Sequence, residues 1–138
     1  MTARFWLSGF IMAIVSLVLD FLVHGVLLRA GYAELPQLYR PPADAQRYFG
    51  FMLAAHALIG FGMTWIYRQG VVPGRGPLGQ GVRFGIAVAV MVTIPIYLIY
   101  YAVQPLPGAL VAKQVIFDTV ATVLMGVLVA ALNRAGRP

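Results

Sequence analysis

At 138 residues, 61% hydrophobic and only 10% charged, the chain is too apolar for a soluble globular domain. Its formal charge of +6 sits at the ends of apolar runs rather than on a soluble basic face, which excludes nucleic acid as a partner. The absence of cysteine excludes disulfides, thiolate metal sites and thiol redox chemistry.

Uncharged stretches run over residues 5–19, 48–67, 84–112 and 119–133, and the first and last reach membrane length only by including Asp20 or Asp118. About 20 residues cross a hydrocarbon core of about 30 Å. The prediction is therefore all-α: a four-transmembrane-helix bundle forming a single membrane domain over residues 1–138. Helix one is expected over 5–29. Its apolar stretch continues to Leu28, beyond the roughly 7–15 residues of a signal-peptide core, so it reads as a retained span. The segment 30–41 then lies along the headgroups or over the mouth of the bundle.

Helix two is expected over 43–68, with Pro42 at its start and Asp44 near the positive end of its dipole. The Gly/Pro-rich stretch 69–80 reads as a flexible loop. Helix three is expected over 81–104, kinked at Pro95 and stopped by Pro105 and Pro107. Helix four follows over 109–133.

Basic residues divide unevenly between the two ends of this bundle. Arg4, Arg68, Arg75, Arg83, Arg134 and Arg137 lie at one end, and Arg29, Arg40, Arg47 and Lys113 at the other with Glu34 and Asp44. The positive-inside rule then places both termini in the cytoplasm. Small residues recur at four-residue spacing, as Gly81, Gly85 and Ala89 in helix three and Thr122, Gly126 and Ala130 in helix four. Such stripes let helix backbones approach closely, within one chain or between two. The helix-four stripe runs back through Asp118 to Gln114, so Asp118 should face a neighbouring helix.

With a rise of 1.5 Å per residue, Asp20, His56 and Asp118 fall at similar depth, roughly 3–5 Å to the outer side of the midplane. His24 shares a face with Asp20 but lies about 6 Å further out. Thr93, Tyr97, Tyr100, Tyr101, Lys113 and Gln114 are candidate lining residues on the same outer half. The inner half reads as plain packing, with Ser8 and Ser16 away from both histidines. Tyr32, Tyr39 and Tyr48, together with Tyr97, Tyr100 and Tyr101, also suit an interfacial aromatic belt, as do Trp6 and Trp65 at the opposite interface.

The leading reading of the Asp20, His24, His56 and Asp118 cluster is that it holds helices together through interhelical hydrogen bonds. The second is a proton or solute path, since intramembrane Asp and His relay protons. The third is a metal site, with Asp20, His56 and Asp118 as candidate ligands and His24 a fourth, suited to Zn²⁺, Mn²⁺ or Fe²⁺. Haem is disfavoured because the only two histidines lie at different depths. No catalytic nucleophile set is present, and no cofactor is expected. The run from Gly74 to Gly79 matches G-x-G-x-x-G, but that pattern binds dinucleotides only between a strand and a helix, so it reads as a turn.

The chain resembles the small four-helix membrane proteins of unknown function common in bacteria. The resemblance is carried by Asp20-Phe21-Leu22-Val23-His24, Ile66-Tyr67-Arg68, Pro95-Ile96-Tyr97, and Asp118 with Gly126. It implies a bacterial inner-membrane location, to which nine arginines against one lysine add a compositional hint, and it implies no activity. Small multidrug exporters are similar in size, helix count and possession of a first-helix acid. The chain departs from them in having Asp20 rather than Glu, a second acid at Asp118, and interior histidines. The function expected is that of a non-enzymatic or accessory membrane protein, with a small proton- or cation-coupled transporter as the alternative and a membrane metal-binding protein or enzyme third. The partners expected are the lipid bilayer and a second copy or a larger membrane complex.

Overall fold

A computed structural model describes residues 2–134, so Arg137 lies outside the described residues. Every regular element among them is helical, and four are long and apolar enough to cross a membrane. We label the helices α1 (Ala3–Leu27), α2 (Arg29–Ala33), α3 (Pro42–Gln69), α4 (Pro77–Val103) and α5 (Gly108–Leu132). The four long ones hold 25 to 28 residues, or about 38–42 Å of axis.

Local chemistry sets their ends. Pro42 and Pro77 open α3 and α4 in the first turn, where a missing N–H costs no hydrogen bond. Gln104 is extended, as the residue before a proline must be, and Pro105 and Pro107 separate α4 from α5. Because Pro77 nucleates a helix, α4 starts four residues before the expected position 81 and the loop shrinks to 70–76. That loop is held by a side chain: the Gln80 amide accepts from Val72 N–H at 2.8 Å and donates to the carbonyls of Val72 and Arg75 at 3.2 and 3.0 Å. Gly74, at φ +79°, makes its turn, and no strand precedes the G-x-G-x-x-G run among the described residues.

Two long helices change their winding partway. Phe21–Leu27 in α1 and Ala89–Thr93 in α4 are π-helical, each turn carrying an extra residue. The α4 segment ends just before Pro95, which has no N–H for the Met91 carbonyl and would clash with it in a regular helix. The kink expected at Pro95 thus takes the form of a π segment.

The bundle is built from two hairpins, α1 with α3 and α4 with α5, joined mainly where α1 meets α5. In the first, an added Cβ on Gly60 would lie 2.4 Å from the Ala13 amide nitrogen. In the second, Cβ atoms on Gly81, Gly85 and Gly126 would lie 2.4–2.6 Å from backbone atoms of the facing helix. The small-residue stripes therefore pair two helices of one chain.

Met12, Met63, Tyr67, Met125, Val129 and Ala130 form the core toward the termini, and Val23, Leu28, Leu35, Leu106, Leu110 and Val111 the core at the far end. The half near the termini also holds a polar knot, contrary to the plain packing expected there. Asn133 Nδ2 donates to Ser8 Oγ at 2.7 Å, and Ser8 meets Thr64 at 3.3 Å, with all three side chains buried. Arg4 Nε donates to the Leu132 carbonyl at 2.9 Å, and Arg68 to Thr2 at 3.2 Å. Ser8 and Thr64 face one another across the close α1–α3 crossing, and Asn133 reaches Ser8 from the end of α5.

Candidate functional site

Asp20, His24, His56 and Asp118 meet in one cavity of about 400 Å³ lined by α1, α3, α4 and α5. Their centre is His24, which the straight-helix spacing had put at the periphery. The winding of α1 is regular up to Asp20 and π-helical from Phe21, and the wider turn carries His24 around to Asp118. Its Nε2 lies 3.3 Å from Asp118 Oδ2, 3.3 Å from the Tyr97 hydroxyl and 3.7 Å from Asp20 Oδ1.

The other ring nitrogen has a partner that the interfacial reading of the tyrosines missed. The chain breaks at Leu28 and re-forms as α2, which folds Tyr32 back over the site. The Tyr32 hydroxyl lies 2.5 Å from His24 Nδ1 and accepts a hydrogen bond from Gln114 Nε2 at 3.0 Å. Burial pushes this phenol up to about 12, with the Gln114 hydrogen bond pulling the other way. Tyr32 therefore keeps its proton at neutral pH. Since it accepts from Gln114, it donates to His24 Nδ1, which leaves the ring proton on Nε2 facing Asp118. This tautomer is assigned from the hydrogen-bond network.

Asp118 is well held. It accepts a hydrogen bond from the Tyr97 hydroxyl and faces His24 Nε2–H. Nearby, Thr93 and Thr122 bond to each other at 3.1 Å, joining α4 to α5 again. Asp20 differs. It makes no direct hydrogen bond among the described residues, and its Oδ2 lies 3.7 Å from His56 Nε2, as far as Oδ1 lies from His24.

His56 is itself fixed by Ser16, whose Oγ lies 3.0 Å from Nδ1. The expectation that Ser16 lies away from both histidines is thus corrected. Gly60 sits one turn along α3 from His56, and its lack of a side chain lets the two helices close to that distance. A continuous polar chain results: Gln114, Tyr32, His24, Asp20, His56 and Ser16, with Asp118 and Tyr97 branching from His24.

Of the candidate lining residues, Thr93 and Tyr97 border the cavity, and Gln114 acts through Tyr32. Tyr100 and Tyr101 are exposed and do not line it. They sit where the end of α4 turns into α5, and Tyr101 covers Gly108 there. Lys113 also lies outside, in a surface hollow with Glu34. Its position on α5, one residue before buried Gln114, turns it away from the interior. The candidate metal ligands do not converge: among the described residues, no three His, Asp or Glu side chains are arranged to hold an ion. Asp20 and Asp118 are instead interleaved with His24.

Asp20 and His24 border a second cavity as well, of about 710 Å³, on the side roofed by Tyr32 and Tyr39. The two residues are therefore the partition between two cavities. No protein-family model, curated protein or solved structure matches the chain.

Proposed function

We propose that this protein is a small membrane transporter that moves protons in exchange for, or together with, a small solute, and that Asp20 takes up and releases the proton. The observation that carries this reading is the position of Asp20. It is a carboxylate inside an apolar span, without a direct hydrogen bond, between two imidazoles and open to a cavity on either side. A carboxylate in a span costs a few kcal/mol on insertion scales (about 2.5–3.5), so its retention calls for a use. Ser16 donates to the Ala13 carbonyl and so accepts from His56 Nδ1–H, which leaves His56 Nε2 as a proton acceptor beside Asp20. His24 presents Nε2–H from the other side, and the Tyr32 hydroxyl holds its ring in place. In this reading the protein is a multi-pass protein of a bacterial inner membrane, with both termini and the 70–76 loop cytoplasmic.

A packing role is the second reading, favoured by the Tyr97–Asp118 and Thr93–Thr122 contacts between α4 and α5. It accounts for Asp118 and leaves Asp20 without a role. The test is proton flux into liposomes holding a trapped pH-sensitive dye, driven by a potassium diffusion potential. The wild type should acidify or alkalinise the lumen above the lipid baseline. Asp20→Asn should abolish that flux while eluting as the same folded species, and Asp20→Glu should retain part of it. Flux unaltered by Asp20→Asn, or wild-type flux at the baseline, overturns the proposal.

A further inference from the structure

Between α3 and α4 the bundle is open on its side. The helices touch near the termini through Tyr67 and Phe84, whose rings lie 5.4 Å apart edge to face, and beyond that contact the cavity of about 400 Å³ separates them. The mouth is formed by Leu58, Ile59 and Ile66 of α3 and by Met91 and Val92 of α4, all of them exposed on the flank of the bundle. The inner wall carries Asp20 and Asp118. Among the described residues, no lysine or arginine borders this cavity or the one behind Asp20. The volume falls in the range of small-molecule sites, roughly 300–1,000 Å³.

We propose that this cleft binds a lipophilic ammonium ion that enters sideways from the acyl-chain region, its charge resting on Asp20 and its apolar body on the α3 and α4 walls. The inference rests on the reading of Asp20 as the exchanging group and names the solute exchanged. Two features select the class of ligand. An ionised carboxylate in an apolar interior requires a positive partner, and the described residues offer Asp20 only imidazoles at 3.7 Å. The mouth opens on the side of the bundle through apolar residues, which suits a ligand already dissolved in the bilayer rather than a hydrated ion.

The pH dependence has a definite sign. Asp20 faces His24 on its own helix and His56 on α3, and it reaches Asp118 and Tyr97 through His24. Protonating a carboxylate removes the attraction, and protonating either imidazole adds repulsion. Both changes weaken binding of a permanent cation as the pH falls.

The test uses the purified protein in lipid nanodiscs, with protein-free nanodiscs as baseline. Phenyltrimethylammonium is the probe, and tert-butylbenzene is its uncharged counterpart of the same shape. Saturable binding of the cation is expected, with no saturable binding of the hydrocarbon. Affinity should drop about tenfold or more in Asp20→Asn, and in the wild type it should fall as the pH is lowered. Gly62→Trp, which fills the mouth from a position with open space around it, should lower affinity to a similar degree with the carboxylates intact. Absent saturable binding, equal binding of the hydrocarbon, or binding unchanged in Gly62→Trp overturns the inference. A stable dimer by native mass spectrometry that excludes the probe also overturns it, by placing a second copy in the cleft. Proton flux without cation binding removes this inference alone. Cation binding without proton flux removes the transport reading alone.

Discussion

Replacing Gly126 by alanine tests how the two halves of the site are held together. A Cβ at this position would lie 2.4 Å from the Gly81 carbonyl oxygen and 2.7 Å from the Gly85 Cα and amide nitrogen. All three are backbone atoms, so no rotamer change relieves the clash. Ordinary contact begins at 3.4 Å, so α4 and α5 must part by about 1 Å, a gap that forfeits a quarter to a half of each dispersion contact across it. Overpacking of this kind costs about 1–3 kcal/mol, and the absence of side-chain relief puts Gly126→Ala near the upper figure. Alanine returns about 1 kcal/mol through its better helix propensity. The expected net loss is about 2 kcal/mol.

The assay is unfolding of the purified protein in mixed micelles of rising sodium dodecyl sulfate content, followed by circular dichroism. Gly62→Ala is the control, because its Cβ meets nothing within 4 Å; it should gain up to about 1 kcal/mol from propensity alone. Gly126→Ala should also reduce proton flux, since Tyr97 and Asp118 lie on the two helices being separated. If Gly126→Ala proves as stable as Gly62→Ala, the close α4–α5 contact is not what holds this hairpin together.

Tyr32→Phe should leave His24 Nδ1 and Gln114 Nε2 without a partner and cost about 1–2 kcal/mol, at the low end for unsatisfied buried groups because the site borders a cavity. Nitrogen NMR of His24 should then show a mixture of tautomers in place of the Nε2–H form, and an unchanged spectrum would refute the assigned network. At alkaline pH the same phenol should cause a loss of stability. Its folded value of about 12 exceeds the ordinary 10, so the unfolded chain loses the proton first, and stability is full below about pH 10 and falls toward about pH 12. Unfolding midpoints across that range should decline in the wild type and decline less in Tyr32→Phe.

The four long apolar helices and the glycine stripes were legible because both follow from composition and four-residue spacing, which survive small changes in winding. Gly81, Gly85 and Gly126 occupy the contact that their spacing predicts. The arrangement of the site was legible only in part. Asp118 faces its neighbours, as its stripe implied, but the part of His24 depends on the π segment from Phe21 to Leu27. That stretch contains no proline, so only Gly25 hints at irregular winding there. Tyr32 could not be assigned to the site because its position depends on the break at Leu28, and a tyrosine close to a span end fits an interfacial belt equally well. Ser16 pairs with His56 through an approach distance set by glycine one turn away, which a depth estimate along each helix does not contain. The Pro95 irregularity was legible as a position, and its π-helical form was not.

That last feature can be reversed by one substitution. Pro95 withholds an N–H from the Met91 carbonyl and pushes the preceding turn into the π form, and Met91, Val92 and Thr93 of that turn border the cavity. Pro95→Ala supplies the N–H and allows a regular helix, which drops the extra residue from the turn. Residues on the N-terminal side must then rotate relative to Tyr97, and the Thr93–Thr122 contact at 3.1 Å cannot persist together with Tyr97–Asp118. Removing a proline from a helix interior is worth up to about 3 kcal/mol, against about 1 kcal/mol for the lost hydroxyl pair. The variant should therefore be more stable in mixed micelles while binding phenyltrimethylammonium less tightly and conducting fewer protons. Such a pairing would identify the π segment as strain retained for the cavity. Higher stability with undiminished binding would show that the cavity does not depend on it, and lower stability would show that the π turn is the better-packed form.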